Sequence, residues 1–174
     1  MLSFRHAAPD DAGALASFAS QAFSDAYRDL DDAREIAEYV AGHFNVPAVL
    51  ALIGDPLATT VLAERGAELA GYAVIARTEP PTCVPGPQPI ELARFYLADR
   101  FIGQGHGAQL MRAVHREASR LGAGTLWLGV YDRNVRAIGF YERSGFTRCG
   151  GKDFLFAGRV YVDPIYAAPV RHGA

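Results

Sequence analysis

Residues 91–121 read ELARFYLADRFIGQGHGAQLMRAVHREASRL: a strand-like segment ending at Leu97, a loop, and a run of helical periodicity. Leu110, Met111, Val114, Ala118 and Leu121 recur at helical spacing, which predicts a helix beginning at Gly107. Gly103, Gly105 and Gly107 alternate through the loop. Glycine lacks the Cβ that keeps a ligand off the backbone, and it reaches positive φ without strain. Successive N–H groups at a helix N-terminus then face one concavity that favours negative charge. The stretch reads as a phosphate cradle or, from the loop alone, as a tight strand-to-helix turn that suits glycine.

Two familiar cradles do not fit. No Gly-Lys-Ser/Thr follows the loop, so the lysine and metal-binding hydroxyl of a P-loop are missing. The glycines are spaced G-x-G-x-G rather than G-x-G-x-x-G, and Asp132, after the Thr125–Tyr131 run, comes too late to bind a dinucleotide ribose.

The chain has 174 residues, half of them apolar and 21% charged, which predicts one globular domain over 1–174 with a substantial core. A net charge of −2 without a basic run gives no electrostatic support to a nucleic-acid or membrane partner. No apolar run reaches the length of a membrane span and the N-terminus does not read as a signal peptide, so a cytoplasmic location is expected. Cys83 and Cys149 are too few and too isolated for a disulfide framework or a zinc site.

Leu2–His6 reads as a strand. Pro9, Asp10 and Asp11 suit the first turn of a helix with an apolar stripe of Leu15, Phe18, Ala19, Ala22 and Phe23. A second helix starts at Asp31 or Asp32 and turns Ile36, Val40 and Phe44 inward; FSDAYRDLDD between them reads as a connection. Thr59–Ala63 and Leu69–Arg77 pair around a turn at Gly66, and five prolines between Thr78 and Pro89 make a loop. After the Thr125–Tyr131 strand comes a short helix with Asn134 at its N-cap and Gly145 past its end. Two strands then turn at Gly158. Seven strands and four helices in this order predict a mixed sheet with helices on its faces, an α/β (α+β) fold.

Asn134–Phe146 reads NVRAIGFYERSGF. A strand, the Gly103–Gly107 loop and then N-x-R-A-x-x-F-Y-x-x-x-G-F resemble the GNAT superfamily of N-acetyltransferases, in that family's order and spacing and over essentially the whole chain. More narrowly, WLGVYDRN, AIGFYERSGF, GKDFLFAG and YVDPIY, with FSDAY and ELARFYL upstream, resemble the bacterial PaiA-like polyamine acetyltransferases. In one respect the chain departs from the family: the usual glutamine or arginine three residues before Gly105 is Ile102.

The resemblance implies one domain whose mixed, mostly antiparallel sheet splays at the CoA site. It also implies acetyl transfer from acetyl-CoA to a primary amine without a metal. The amides of Ile102, Gly103, Gln104, Gly105, His106, Gly107 and Ala108 would take the pyrophosphate. The backbone of Phe95, Tyr96 and Leu97 would pair with pantetheine and polarise the thioester; their alternate side chains pack inward in any case. Tyr141 stands where the family has its general acid, a phenol still protonated at neutral pH. Its alternative is ordinary helix packing. Asn134 and Phe140 would reach the cofactor. Arg143 suits CoA phosphates or open solvent.

Glu91, four residues before Phe95, stands where the resemblance implies a base that works directly or through water, with Glu79 as alternative; a strand carboxylate is as readily a solvated or ion-paired one. His106 reads as a loop spacer and His115 as lying on an exposed helix face, so neither is a catalytic candidate. Phe23, Asp25 and Tyr27 are acceptor-side candidates, whereas Asp31 and Asp32 also suit the second helix's start. The acceptor is a small amine, a polyamine on the narrower resemblance. The alternatives are a peptide or protein amine, or a non-catalytic CoA-binding regulatory domain. A monomer or homodimer is expected.

Overall fold

The computed structural model describes residues 1–156 and 158–171; Ala157, within the GKDFLFAG stretch, lies outside them. The seven strands are β1 (Ser3–His6), β2 (Ala58–Arg65), β3 (Glu68–Ala76), β4 (Pro89–Leu97), β5 (Thr125–Gly129), β6 (Thr147–Phe156) and β7 (Arg159–Pro169). They form one sheet in the order β1-β2-β3-β4-β5-β7-β6. The sheet is mixed: β4 and β5 pair in parallel, whereas β1–β2, β5–β7 and β6–β7 are antiparallel. Five helices accompany it: α1 (Ala12–Tyr27), α2 (Ala33–His43), α3 (Val46–Gly54), α4 (His106–Arg120) and α5 (Val135–Arg143).

Two elements differ from the sequence expectation. α3 is a fifth helix where four are predicted, because VPAVLALIG is apolar nearly all round and shows no stripe. Its start is nevertheless well specified: Asn45 Oδ1 accepts the Ala48 N–H at 2.9 Å, and Pro47 sits in the first turn. α1 runs on to Tyr27, so Phe23, Asp25 and Tyr27 lie on its last turns rather than in a connection. Contacts one turn apart carry it through: Phe23 and Tyr27 stack at 4.4 Å, and Gln21 Nε2 donates to Asp25 at 2.9 Å. The expected Asp32 cap is present, its carboxylate accepting the Arg34 N–H at 2.9 Å.

Two compact units divide the described chain: Met1–Val74 with Arg94–Ala113, and Ile75–Ala93 with the residues from Val114 onward. In the first, Leu15, Ala19, Phe23, Ile36, Phe44, Val49, Leu62 and Tyr72 form the core beneath α1, α2 and α3. Each large apolar side chain buried there contributes about 1.5–3 kcal/mol. In the second, Trp127, Ile165 and Ala167 are the centre of a smaller cluster with Cys83, Val84 and Cys149. Among the described residues no single helix is long and apolar enough to cross a membrane; α2 and α3 reach that length and composition only together, across a 51° bend.

Gly71 sets how closely β3 can approach β4. A Cβ there would lie 2.5 Å from Leu97 Cδ2 and 2.6 Å from the Tyr96 carbonyl oxygen, and the second neighbour is backbone. Gly71→Ala is expected to destabilise the fold by about 1–3 kcal/mol through overpacking. Urea unfolding would show this as a lowered midpoint; an unchanged midpoint would mean that β4 gives way freely.

Candidate functional site

In the first unit the chain leaves the sheet at the end of β4. The Ala98 N–H donates to the Ala70 carbonyl at 3.0 Å, toward β3. Successive residues of an extended strand point their polar groups to opposite edges, so the Leu97 N–H points away from β3. A 3-10 turn over Asp99–Phe101 follows, closed by Phe101 N–H to Ala98 O at 2.8 Å. Phe101 is buried and meets His106 edge to face at 5.5 Å, and the His106 Nδ1 lies 3.3 Å from the Phe101 carbonyl oxygen. His106 is therefore no spacer. It is the buried first residue of α4 and braces the loop against its own starting turn.

Between those two anchors Ile102 is half-buried, and Gly103, Gln104 and Gly105 are exposed. Gly103 has φ 79° and Gly105 φ 80°, the left-handed region that disfavours any residue with a Cβ. No heavy atom lies within 4 Å of a Cβ built on either, so the backbone there has open space above it. The Gln104 side chain donates back to the Arg100 carbonyl, which pins the loop tip. The bond from Gln109 N–H to Gly105 O, 3.3 Å, opens the α4 ladder. The amides of His106, Gly107 and Ala108 are thus first-turn donors at the positive end of a helix dipole.

The acceptor-side candidates share this unit. Phe23 is buried in an aromatic cluster, with Tyr27 at 4.4 Å, Tyr39 at 4.9 Å and Phe44 at 5.3 Å. Tyr27 is half-buried. Asp25 is half-buried and lies 3.6 Å from Arg28, whose guanidinium also reaches Asp99 at 3.1 Å. Arg94 sits over the Phe44 ring at 4.8 Å, and Tyr72 beside it is fully buried, its phenol pushed above its usual range by that burial.

The second unit holds the acid and base candidates. Glu91 on β4 is half-buried, faces Trp127 of β5, and accepts the Thr78 hydroxyl at 2.7 Å. Glu91 is the last β4 residue to pair with β5, although β4 continues through Leu92 and Ala93 and β5 through Leu128 and Gly129. Glu79 is exposed. Asn134 caps α5, its Oδ1 accepting the Ala137 N–H at 3.1 Å. Tyr141 is 9% exposed and meets Phe146 at 5.8 Å and Phe140 at 5.6 Å. Its carbonyl accepts from the N–H groups of Ser144 and Phe146, closing the helix at Gly145, where φ is 95°. Arg143 is exposed and folds back over Gly139, where a Cβ would meet its Nη1 at 3.0 Å.

Two residues here carried no sequence signal, and a third was read differently. Thr78 holds Glu91 from within a proline-rich loop. Asp163 on β7 is half-buried, with Oδ1 buried and without a hydrogen-bond partner; burial first, then the Asp132 carboxylate, raise it to about 6. His115 is the third. It is 2% exposed, against the expected exposed face, and its Nδ1 accepts the Arg171 N–H at 3.1 Å. Among the described residues no group of three or more His, Cys, Asp or Glu side chains is placed to hold a metal ion.

Residues 17–146 match the profile of the Acetyltransferase (GNAT) family. An uncharacterized N-acetyltransferase of Mycobacterium tuberculosis (strain ATCC 25618 / H37Rv) is 30% identical over 144 residues, 83% of this chain and 88% of that protein. The spermine/spermidine N(1)-acetyltransferase of Bacillus subtilis (strain 168) is 31% identical over 64 residues, 36% of this chain and 42% of that one. The crystal structure of the PaiA N-acetyltransferase from Thermoplasma acidophilum in complex with coenzyme A superposes with a TM-score of 0.81 at 17% identity. It covers 97% of this chain and 99% of its own.

Burial, with the Arg171 charge secondary, lowers His115 from 6.5 to about 4. Between those values the unfolded chain binds a proton that the folded chain refuses, so stability falls as pH drops from 6.5 toward about 4. Urea unfolding across that range should show a pH slope in the wild type that is smaller in His115→Gln. Equal slopes would place the imidazole in contact with solvent.

Proposed function

The chain belongs to the GNAT family and is an acetyl-CoA-dependent N-acetyltransferase, and we propose that its acceptor is a primary amine of a small polycation, a polyamine. The observation that carries the cofactor half is one continuous segment of the first unit. It comprises the Leu97 amide aimed off the edge of β4, left-handed Gly103 and Gly105, and the α4 N-terminus at His106. An extended amide chain ending in a pyrophosphate matches that sequence of donors.

On this reading Phe95, Tyr96 and Leu97 supply the strand-like backbone for pantetheine, and an N–H there holds the oxyanion that develops on the thioester. Ile102 to Ala108 hold the pyrophosphate through main-chain N–H groups, a role isoleucine keeps as well as glutamine would. Asn134, Phe140 and Arg143 complete the cofactor contacts. Glu91, directly or through water, takes the proton that the amine must lose, and Thr78 fixes the carboxylate's direction. The neutral amine nitrogen would attack the carbonyl carbon, the C–S bond would break as the Tyr141 hydroxyl protonates the departing thiolate, and the second proton lost by the nitrogen would return through solvent to the Tyr141 phenolate.

The polyamine half is supported by the name of the Bacillus subtilis relative and by the end of α1. Asp25 offers a carboxylate and Tyr27 a ring face to an ammonium group, with buried Phe23 stacked behind Tyr27.

Tyr141→Phe removes one hydroxyl and leaves the ring packing. It should lower kcat about 10²–10⁴-fold with the KM for acetyl-CoA little changed. A near wild-type kcat under conditions where chemistry limits turnover would give Tyr141 a packing role only.

For the acceptor, initial rates with spermidine should exceed those with a simple alkylamine, fall as salt rises, and drop further in Asp25→Asn. Equal rates for the two amines would exclude the polyamine while leaving acetyl transfer in place.

A further inference from the structure

β6 breaks register against β7 between Arg148 and Gly150: Arg148 faces Tyr166 and Gly150 faces Ile165, so Cys149 is the extra residue of a bulge. Bulges re-aim side chains. Here the Cys149 thiol lies 3.5 Å from the Ile165 carbonyl, to which it donates. Cys83, from the proline-rich segment between β3 and β4, packs with Cys149 against Trp127, Ile165 and Ala167. The two thiols are close enough to interact electrostatically.

The approach leaves no room at the neighbouring position. A Cβ on Gly150 would lie 2.5 Å from Cys83 Sγ and 2.7 Å from Cys83 Cβ. Both cysteines are half-buried, so a small reagent can reach them. Neither is one of the residues proposed for acetyl transfer.

From this juxtaposition we propose that Cys83 and Cys149 form a redox-active dithiol that closes reversibly to an intramolecular disulfide when it meets a small disulfide such as oxidised glutathione. Cys83 loses its proton, and its thiolate attacks one sulfur of the oxidant. A mixed disulfide forms and one glutathione thiolate leaves. Cys149, deprotonated in turn, attacks Cys83 Sγ; the Cys83–Cys149 bond forms and the second glutathione leaves. The two protons released by the cysteines end on the two glutathione thiols, and two electrons pass from protein to oxidant. Burial first, then the neighbouring Cys83, raise the Cys149 thiol, which suits it to the second, resolving step. The bond would tie the loop carrying Thr78 to β6.

The test uses the full chain, reduced and then exposed to oxidised glutathione. Intact mass without reductant should show the loss of two hydrogens, and both thiols should disappear from titration. Dithiothreitol should restore the starting mass. Trp127, the sole tryptophan and part of the cluster against which both cysteines pack, should lose emission on oxidation and regain it on reduction. Cys149→Ser, checked for folding by circular dichroism, should stop at a stable glutathione adduct on Cys83. Wild-type protein that gives only glutathione adducts, only crosslinks between chains, or no reaction overturns the proposal.

Discussion

Much of the first unit depends on the close backbone approach at Gly71. Because no side chain stands there, the Tyr96 carbonyl can lie within 2.6 Å of the Cβ position, and the neighbouring residue Ala70 takes the Ala98 N–H. That register decides which edge of β4 the Leu97 amide serves. It also decides where the chain turns out through Asp99–Phe101 and where buried Phe101 meets His106. The orientation of the glycine loop follows from a single missing methyl group two strands away in sequence.

On the proposed reading, anion binding in this region comes from the main chain. The nearby guanidiniums are engaged with carboxylates or rings: Arg100 with Glu68 and the Phe101 ring, Arg28 with Asp25 and Asp99. Exposed pairs of this kind contribute about 0–1 kcal/mol each, so their effect lies in shaping the local field. A helix end and two left-handed glycines need no such compensation. Their dipoles are fixed by the fold and reorganise little when charge arrives.

Most of this was legible in the sequence wherever a pattern repeats. The stripe Leu110, Met111, Val114 and Ala118 announced α4, and the Asp32 and Asn134 caps and the Gly145 stop were readable because each supplies a local need of a helix end. α3 was not, since periodicity vanishes when every side of a helix is apolar. His115 was misplaced although it stands four residues after Met111 and three before Ala118, on the buried side of α4; what local sequence hides is its partner, the Arg171 N–H, 56 residues away. Phe23 was legible both as part of the α1 stripe and as an acceptor-side candidate; its enclosure by Tyr39 and Phe44, on and just after a later helix, was not. The Glu91–Thr78 contact joins a strand to a loop whose shape the prolines leave open.

Gly150 has a consequence for how the chain can drift. A methyl group there would collide with both side-chain atoms of Cys83, and its 2.7 Å contact with Cβ persists for any residue at position 83 that carries a Cβ. Losing the sulfur alone therefore does not free position 150. Position 150 should stay glycine while residue 83 has a side chain and its loop keeps this path, and departures from glycine there should be confined to descendants in which position 83 has become glycine or the loop has been rebuilt.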